Sequence, residues 1–240
     1  MIKAEGLMKK YGKRTVLKGV DIDVDRKEIV GLLGPNGAGK TTAFSLLLGL
    51  ISSDGGSVSL DGVSLQGWPM YRRARAGIAF LPQESSIFRG LTVEENLLAV
   101  LETRREKGFS PHGAARQLME RFGLLALARQ LSSTLSGGEK RRLEIARALA
   151  LSPSYLFLDE PFTGIDPIAI GEIQTLLGEL KKEGLGILVS DHNVRETLKI
   201  TERAYIIMDG LVIRRGSPEE LVRDPFIREK YLGRELKIEG

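Results

Sequence analysis

No cysteine occurs among the 240 residues. That excludes disulfide frameworks and thiolate metal sites, and it fits a reducing compartment. No apolar run approaches the roughly 18 residues of a membrane span. The longest candidate, residues 43–51, reads as a buried helix. The opening Met1-Ile2-Lys3-Ala4-Glu5-Gly6 lacks a basic stretch followed by an apolar one, so no secretory signal is expected. There is no internal repeat and no low-complexity segment. The basic clusters Arg72-Arg73, Arg104-Arg105, Lys140-Arg141-Arg142 and Arg214-Arg215 are short and scattered. A net charge of +4 therefore reads as a mildly basic solvated surface, and no nucleic-acid partner is expected.

What is present suits an ordinary globular core. Hydrophobic residues make up 42% and charged residues 28%, enough for one large domain or two small ones. Residues 29–33, 78–81, 155–158 and 186–190 are short apolar runs that predict buried strands. Residues 16–24 alternate like an edge strand of an antiparallel sheet. Residues 58–60 predict a strand ending in the turn Asp61-Gly62. Residues 204–208 and 211–213 around Asp209-Gly210 predict a hairpin. Helical patterns cover residues 39–48, 94–131 with a break at 108–113, 137–151, and the charged segment from Pro218. Strands alternating with helices predict an α/β fold with a mostly parallel sheet covered on both faces. The helix-rich middle carries no apolar strand and reads as an insertion.

Gly34-Pro35-Asn36-Gly37-Ala38-Gly39-Lys40-Thr41 satisfies G-x-x-x-x-G-K-[ST] between a strand and a helix. A loop that wraps backbone N–H groups around phosphate oxygens favours glycine, because side chains would obstruct it. The helix that follows offers unpaired N–H groups and the positive end of its dipole. Lys40 is expected on the β- and γ-phosphates, Thr41 on Mg²⁺, and Thr42 beside them.

The apolar strand at 155–158 ends in Asp159 and Glu160. Carboxylates at the carboxyl end of a central strand sit where parallel sheets bind ligands. Asp159 is expected to hold Mg²⁺, and Glu160 to polarise an attacking water. Paired acids after a strand also serve as helix caps or ion-pair partners. The phosphate loop in the same chain favours the first reading.

Leu135-Ser136-Gly137-Gly138-Glu139 precedes a helix carrying Arg141, Arg142 and Ala146-Arg147-Ala148. Together with the loop and the acidic pair, this resembles the signature of ATP-binding-cassette (ABC) ATPases over essentially the whole chain. The resemblance implies a P-loop NTPase fold. Residues 1–86 and 157–240 would form a RecA-like core with an antiparallel β part, and residues 87–156 a helical subdomain. It implies ATP and Mg²⁺ as ligands and a head-to-tail homodimer. In that dimer Ser136, Gly137 and Gly138 of one copy face the ATP on the other's loop. Gln83 matches the family's Q-loop glutamine, which contacts Mg²⁺ and the water; as a plain residue it could simply occupy a turn. His192 matches the switch histidine, although a lone histidine after a strand is often structural. Tyr11 matches the aromatic under adenine, or it packs on the sheet. Two departures stand out: Glu139 where glutamine is commoner, and Thr163-Gly164-Ile165-Asp166 after the acidic pair. The other histidine, His112, receives no role.

Within the family, Leu81-Pro82-Gln83-Glu84-Ser85-Ser86-Ile87-Phe88-Arg89-Gly90-Leu91, Ser190-Asp191-His192-Asn193-Val194-Arg195-Glu196-Thr197 and Tyr231-Leu232-Gly233 are similar to lipopolysaccharide-export ATPases. The resemblance implies integral membrane permease subunits docking near Gln83, Ile87, Phe88 and Arg89, and a place on the cytoplasmic face of the inner membrane. Ile87 and Phe88 could instead pack the helical insertion. Branched-chain amino-acid importer ATPases are the alternative within transporters. Cassettes acting on ribosomes or nucleic acid are the alternative outside them, but those usually carry two cassettes, zinc modules or long coiled coils.

Overall fold

The structure is a computed structural model that describes residues 1–104 and 106–229. The chain begins with β1 (Ile2–Tyr11), β2 (Arg14–Val24), β3 (Ile29–Leu33) and α1 (Lys40–Leu48). It continues through β4 (Gly55–Leu60), β5 (Val63–Ser64), α2 (Met70–Arg75) and β6 (Ile78–Leu81). Three helices follow: α3 (Val93–Leu101), α4 (Pro111–Arg121) and α5 (Gly137–Leu149). Next come β7 (Tyr155–Asp159), α6 (Pro167–Lys182), β8 (Gly186–Ser190) and α7 (Val194–Leu198). The described part closes with β9 (Arg203–Met208), β10 (Leu211–Gly216), α8 (Pro218–Arg223) and α9 (Pro225–Ile227). The Tyr231-Leu232-Gly233 run lies outside the described residues.

Two sheets form. One is antiparallel, in the order β2-β1-β4-β5, with β2 at its edge as the alternation in its sequence predicts. The other has six strands in the order β10-β9-β3-β8-β7-β6. Its strands β9, β3, β8, β7 and β6 are mutually parallel, and β10 folds back on β9. The turn between them places Asp209 at φ 50° and Gly210 at φ 77°. Two consecutive positive φ values match the twist of a tight hairpin.

Strand β7 shows why the apolar runs are unbroken. All five of its residues are buried. Leu156 and Leu158 pack in the core shared with α3, α4, α5 and α6, whereas Tyr155 and Phe157 pack in the core beneath α1 and the antiparallel sheet. Alternate side chains point to opposite faces, so a sheet covered on both sides needs apolar residues at every position.

Two local expectations need correction, and one helix stands where none is predicted. Helix α4 ends at Arg121, and residues 125–134 contain two short 3-10 turns in place of a continuing helix. Gly123 at φ 62° stops the helix there. Within the described residues, the segment from Pro218 forms two helices, because Pro225 restarts the chain under an Asp224 cap. Helix α6 stands where no helix is predicted. Its signals were present: Asp166 caps it, Pro167 opens it, and Ala169, Ile173, Leu176, Leu177 and Leu180 form its buried stripe. No helix among the described residues is long and apolar enough to cross a membrane.

Candidate active site

Four adjacent parallel strands end at one edge. The 34–41 loop follows β3, Asp191 and His192 follow β8, Asp159 and Glu160 close β7, and Gln83 follows β6. Ligands bind at the carboxyl ends of strands in such sheets.

The loop is shaped by close backbone approaches. A Cβ on Gly34 would sit 2.1 Å from the Ile207 carbonyl oxygen of β9. A Cβ on Gly39 (φ 111°) would sit 2.6 Å from the Leu17 side chain. Glycine is the residue that fits both positions. Ala38 is buried, and its carbonyl accepts from Gly210 N–H at 3.1 Å, which ties the loop to the β9–β10 turn. Lys40 is only 8% exposed, and its ammonium donates to the Gly34 and Pro35 carbonyls at 2.6 and 3.1 Å. Burial lowers its pKa; the charges of Glu160, Asp159 and Asp191 oppose that shift.

A cleft of about 350 Å³ lies against this loop. Asn36, Gly37, Gly39, Lys40, Thr41 and Thr42 line one wall, and Asp159 and Glu160 the other. Arg14 and Val16 of β2 complete it. Neither was singled out from the sequence, since no motif marks them. Tyr11 is the register partner of Arg14 across the β1–β2 turn. Its ring is 52% exposed, 5.6 Å from the Lys9 ammonium, so it does not pack into the sheet.

Asp159 is buried, and burial pushes its pKa up to about 6, with the Glu160 charge adding to the shift and Lys40 opposing it. Its ionised form is thus costly in the protein alone. Asp159, Thr41 and Gln83 offer hard oxygen donors, and the adjacent charges of Asp159 and Glu160 fit a divalent cation such as Mg²⁺. Asp159→Asn should therefore stabilise the metal-free chain at pH 7.5, on the order of 2–3 kcal/mol. The folded pKa lies above the unfolded one, so the cost of ionisation is full above pH 6. It fades as pH falls toward 4. Thermal unfolding of parent and variant should show a gap at pH 7.5 that closes at pH 4. An equal gap at both values would contradict this electrostatic origin.

Glu160 stands where backbone and side-chain contacts converge. Its φ is 50°, a left-handed value costly for a residue with a Cβ unless held in place. Its N–H donates to the Ser190 carbonyl at 2.6 Å, and Arg141 Nη2 donates to its carbonyl at 3.3 Å. Its carboxylate oxygen Oε2 accepts from Gln83 Nε2 at 2.9 Å and from Thr163 Oγ1 at 3.1 Å. His192 Nδ1 lies 3.3 Å from that same oxygen, with its ring 57% exposed. Residues 83, 160 and 192 are thus brought into one cluster. Thr163 and Asp191, unassigned from the sequence, help to hold it. Asp191 is fully buried and accepts from the Phe162 and Asn193 N–H groups at 3.0 and 2.8 Å. Burial raises its pKa, and those two N–H groups oppose the shift.

The 135–139 motif lies apart from this cluster. Ser136 caps α5, and Glu139 accepts from its N–H and hydroxyl at 2.8 and 2.7 Å in a capping box. The departure at Glu139 therefore serves the helix start. Gly137 and Gly138 let α5 approach the segment after Glu160. A Cβ at 138 would meet the Ala169 Cβ at 2.9 Å, and one at 137 the Gly164 carbonyl oxygen at 3.2 Å. Neither these glycines nor Ser136 line the cleft of their own chain.

Near Gln83, one expected surface residue is corrected. Ile87 is 7% exposed and belongs to the core of the helical insertion, so its side chain cannot line a docking groove. Phe88 does present its ring, 49% exposed, and Arg89 is exposed beside it. His112 pairs loosely with Glu94 at 3.5 Å on the outer side of the insertion.

Comparison with known proteins agrees with this geometry. The family model described as ABC transporter matches residues 17–163. A probable ABC transporter ATP-binding protein of Azorhizobium caulinodans is 52% identical over 98% of this chain and 84% of the relative. The lipopolysaccharide export system ATP-binding protein LptB of Acidithiobacillus ferridurans is 49% identical over 99% of each chain. Among solved structures, a dimeric ATP-binding cassette bound to ADP and Pi superposes with a TM-score of 0.81 at 26% identity, covering 91% of this chain and 99% of that one. With the loop, the acidic pair, Gln83 and His192 at one sheet edge and the signature capping its own helix, the chain belongs to the ABC transporter family.

Proposed function

We propose that this chain is the ATP-hydrolysing subunit of a lipopolysaccharide-export transporter, bound to permease subunits on the cytoplasmic face of the inner membrane. The observation that carries hydrolysis is the Glu160 carboxylate gathered with Gln83 and His192 beside the phosphate loop. The near full-length similarity to LptB supports the cargo.

The residues divide the work. The N–H groups of 34–41 and the Lys40 ammonium hold the phosphates. Tyr11 supports adenine. Thr41, Gln83 and Asp159 would hold Mg²⁺, which supplies charge neutralisation on the β- and γ-phosphates when bound. Glu160 accepts a hydrogen bond from water and turns its lone pair toward the γ-phosphorus. His192 donates to a γ-phosphate oxygen, and Gln83 orients the water. The water oxygen bonds to the γ-phosphorus as the P–O bond to ADP breaks, the water proton passes by way of Glu160 to the phosphate, and ADP and inorganic phosphate leave. Ser136, Gly137 and Gly138 come from a second copy and close the site over the γ-phosphate, as the dimeric state of the related cassette suggests. ATP joins the two copies, and its hydrolysis separates them.

Docking beside Gln83 rests on Phe88 and Arg89, an apolar ring with a neighbouring cation that suits an amphipathic helix. Affinity capture of the tagged chain from detergent-solubilised membranes should recover integral membrane subunits of a lipopolysaccharide exporter. Phe88→Ala should cut that recovery about tenfold or more, as an aromatic anchor does, with the fold intact. Unchanged recovery would count against the groove. An amino-acid permease would overturn the cargo, and ribosomes without any membrane protein would overturn the transporter reading.

A further inference from the structure

The segment between Gln83 and α3 is bonded to α5 at several points. Ser85 Oγ and Ser86 N–H both donate to Glu144 Oε1, at 2.7 and 3.1 Å. The other carboxylate oxygen of Glu144 accepts from Arg141 Nη1 at 3.0 Å. Arg141 Nη2 then donates to the Glu160 carbonyl. The two side chains of this ion pair are only 7% and 3% exposed. One helical turn further on, Arg147 donates to the carbonyl and hydroxyl of Ser86, and its guanidinium lies 4.9 Å from the Phe88 ring. Asn96 and Ser132 hold the Phe88 backbone: Phe88 N–H donates to Asn96 Oδ1 at 2.8 Å, and its carbonyl accepts from Asn96 Nδ2 at 3.1 Å and Ser132 Oγ at 2.9 Å.

Stability is a poor reason for such a pair. Two buried charges lose hydration, and apolar residues of the same volume usually serve a core as well or better. What apolar residues cannot do is hydrogen-bond the backbones of two distant segments at once, here the Ser86 N–H and the Glu160 carbonyl. Here the pair joins segment 85–86, helix α5 and the turn at Glu160. That turn is where a tether matters, because Glu160 keeps its left-handed φ only while the surroundings hold it. Its N–H is held by Ser190 and its carbonyl by Arg141.

We propose that Arg141 and Glu144 are a positioning pair for ATP hydrolysis. Arg141 holds the Glu160 backbone in its turn, and Glu144 ties that hold to segment 85–88, so that movement of Phe88 resets the Glu160 carboxylate. Gln83 touches the carboxylate end of Glu160, and this pair holds its backbone end. The proposal rests on the reading of Glu160 as the carboxylate that polarises water.

Two variants of the full chain test it, each measured for kcat, KM, ATP binding and Tm. Arg141→Lys keeps the charge facing Glu144 but removes the second arm that reaches the Glu160 carbonyl. Arg141→Met with Glu144→Leu replaces the pair by apolar side chains of similar volume. Both should keep ATP affinity and KM within about twofold while kcat falls about tenfold. The double variant should also keep the parental Tm, so that its loss of kcat is not a loss of fold. Parental kcat in either folded variant overturns the proposal. If the double variant does not fold, Arg141→Lys decides alone. Glu160→Gln serves as the control. An inactive control beside fully active Arg141 variants sinks the positioning pair only. An active control sinks the reading of Glu160, and the pair with it.

Discussion

Glu160→Gln should bind ATP like the parent and lose at least about 100-fold in steady-state turnover. Glutamine keeps the size of the side chain and can still meet Gln83, Thr163 and His192. What it loses is the anionic oxygen on which all three converge. Without it, water reaches the γ-phosphorus without a base to accept its hydrogen bond. In the proposed dimer, closure needs only ATP and the two copies, so the variant should accumulate as an ATP-bound dimer. Size-exclusion chromatography with ATP should show dimer for the variant and mostly monomer for the hydrolysing parent. Parental phosphate release by the variant would refute the role of Glu160.

Lys40→Met should separate binding from stability. The ammonium is buried against two loop carbonyls, and burial lowers its pKa. The sign follows from linkage. A lysine whose folded pKa is lowered destabilises the native state wherever it stays protonated, and the cost disappears only above the unfolded pKa. Methionine keeps the apolar stem and removes that charge, so Tm at pH 7.5 should hold or rise. Nucleotide binding should weaken roughly tenfold to 100-fold, because a charge-assisted contact to phosphate is worth about 1.5–3 kcal/mol. Titration with a fluorescent ATP analogue and a thermal melt give the two numbers. A lower Tm with unchanged affinity would reverse the assignment and make Lys40 a structural brace of the loop.

Much of this could be read along the chain. Residues 34–41 combine glycine positions, a lysine and a hydroxyl at fixed spacing, and local chemistry alone demands that combination. The strands at 29–33, 155–158 and 186–190 are legible because a sheet covered on both faces takes apolar residues at every position. Helix α6 carries its cap, its opening proline and its apolar stripe within one stretch, so it is local too. Ile87 shows the opposite limit. An apolar residue beside a loop looks the same whether it faces a partner or its own core, and only the packing of the insertion places it inside.

The sequence by itself determined the phosphate loop, the acidic pair, the signature and their order, since each is a short run whose chemistry depends on near neighbours. Only the tertiary structure decided which of them meet. Gln83 and Glu160 are 77 positions apart and share one hydrogen bond, because β6 and β7 are adjacent parallel strands that end together. Arg14 carries no motif, and the stretches that hold Thr163, Asp191, Arg141 and Glu144 do not reveal their partners. Their place at the site comes from strand order and helix packing, which are properties of distant segments brought together and are written in no local stretch of residues.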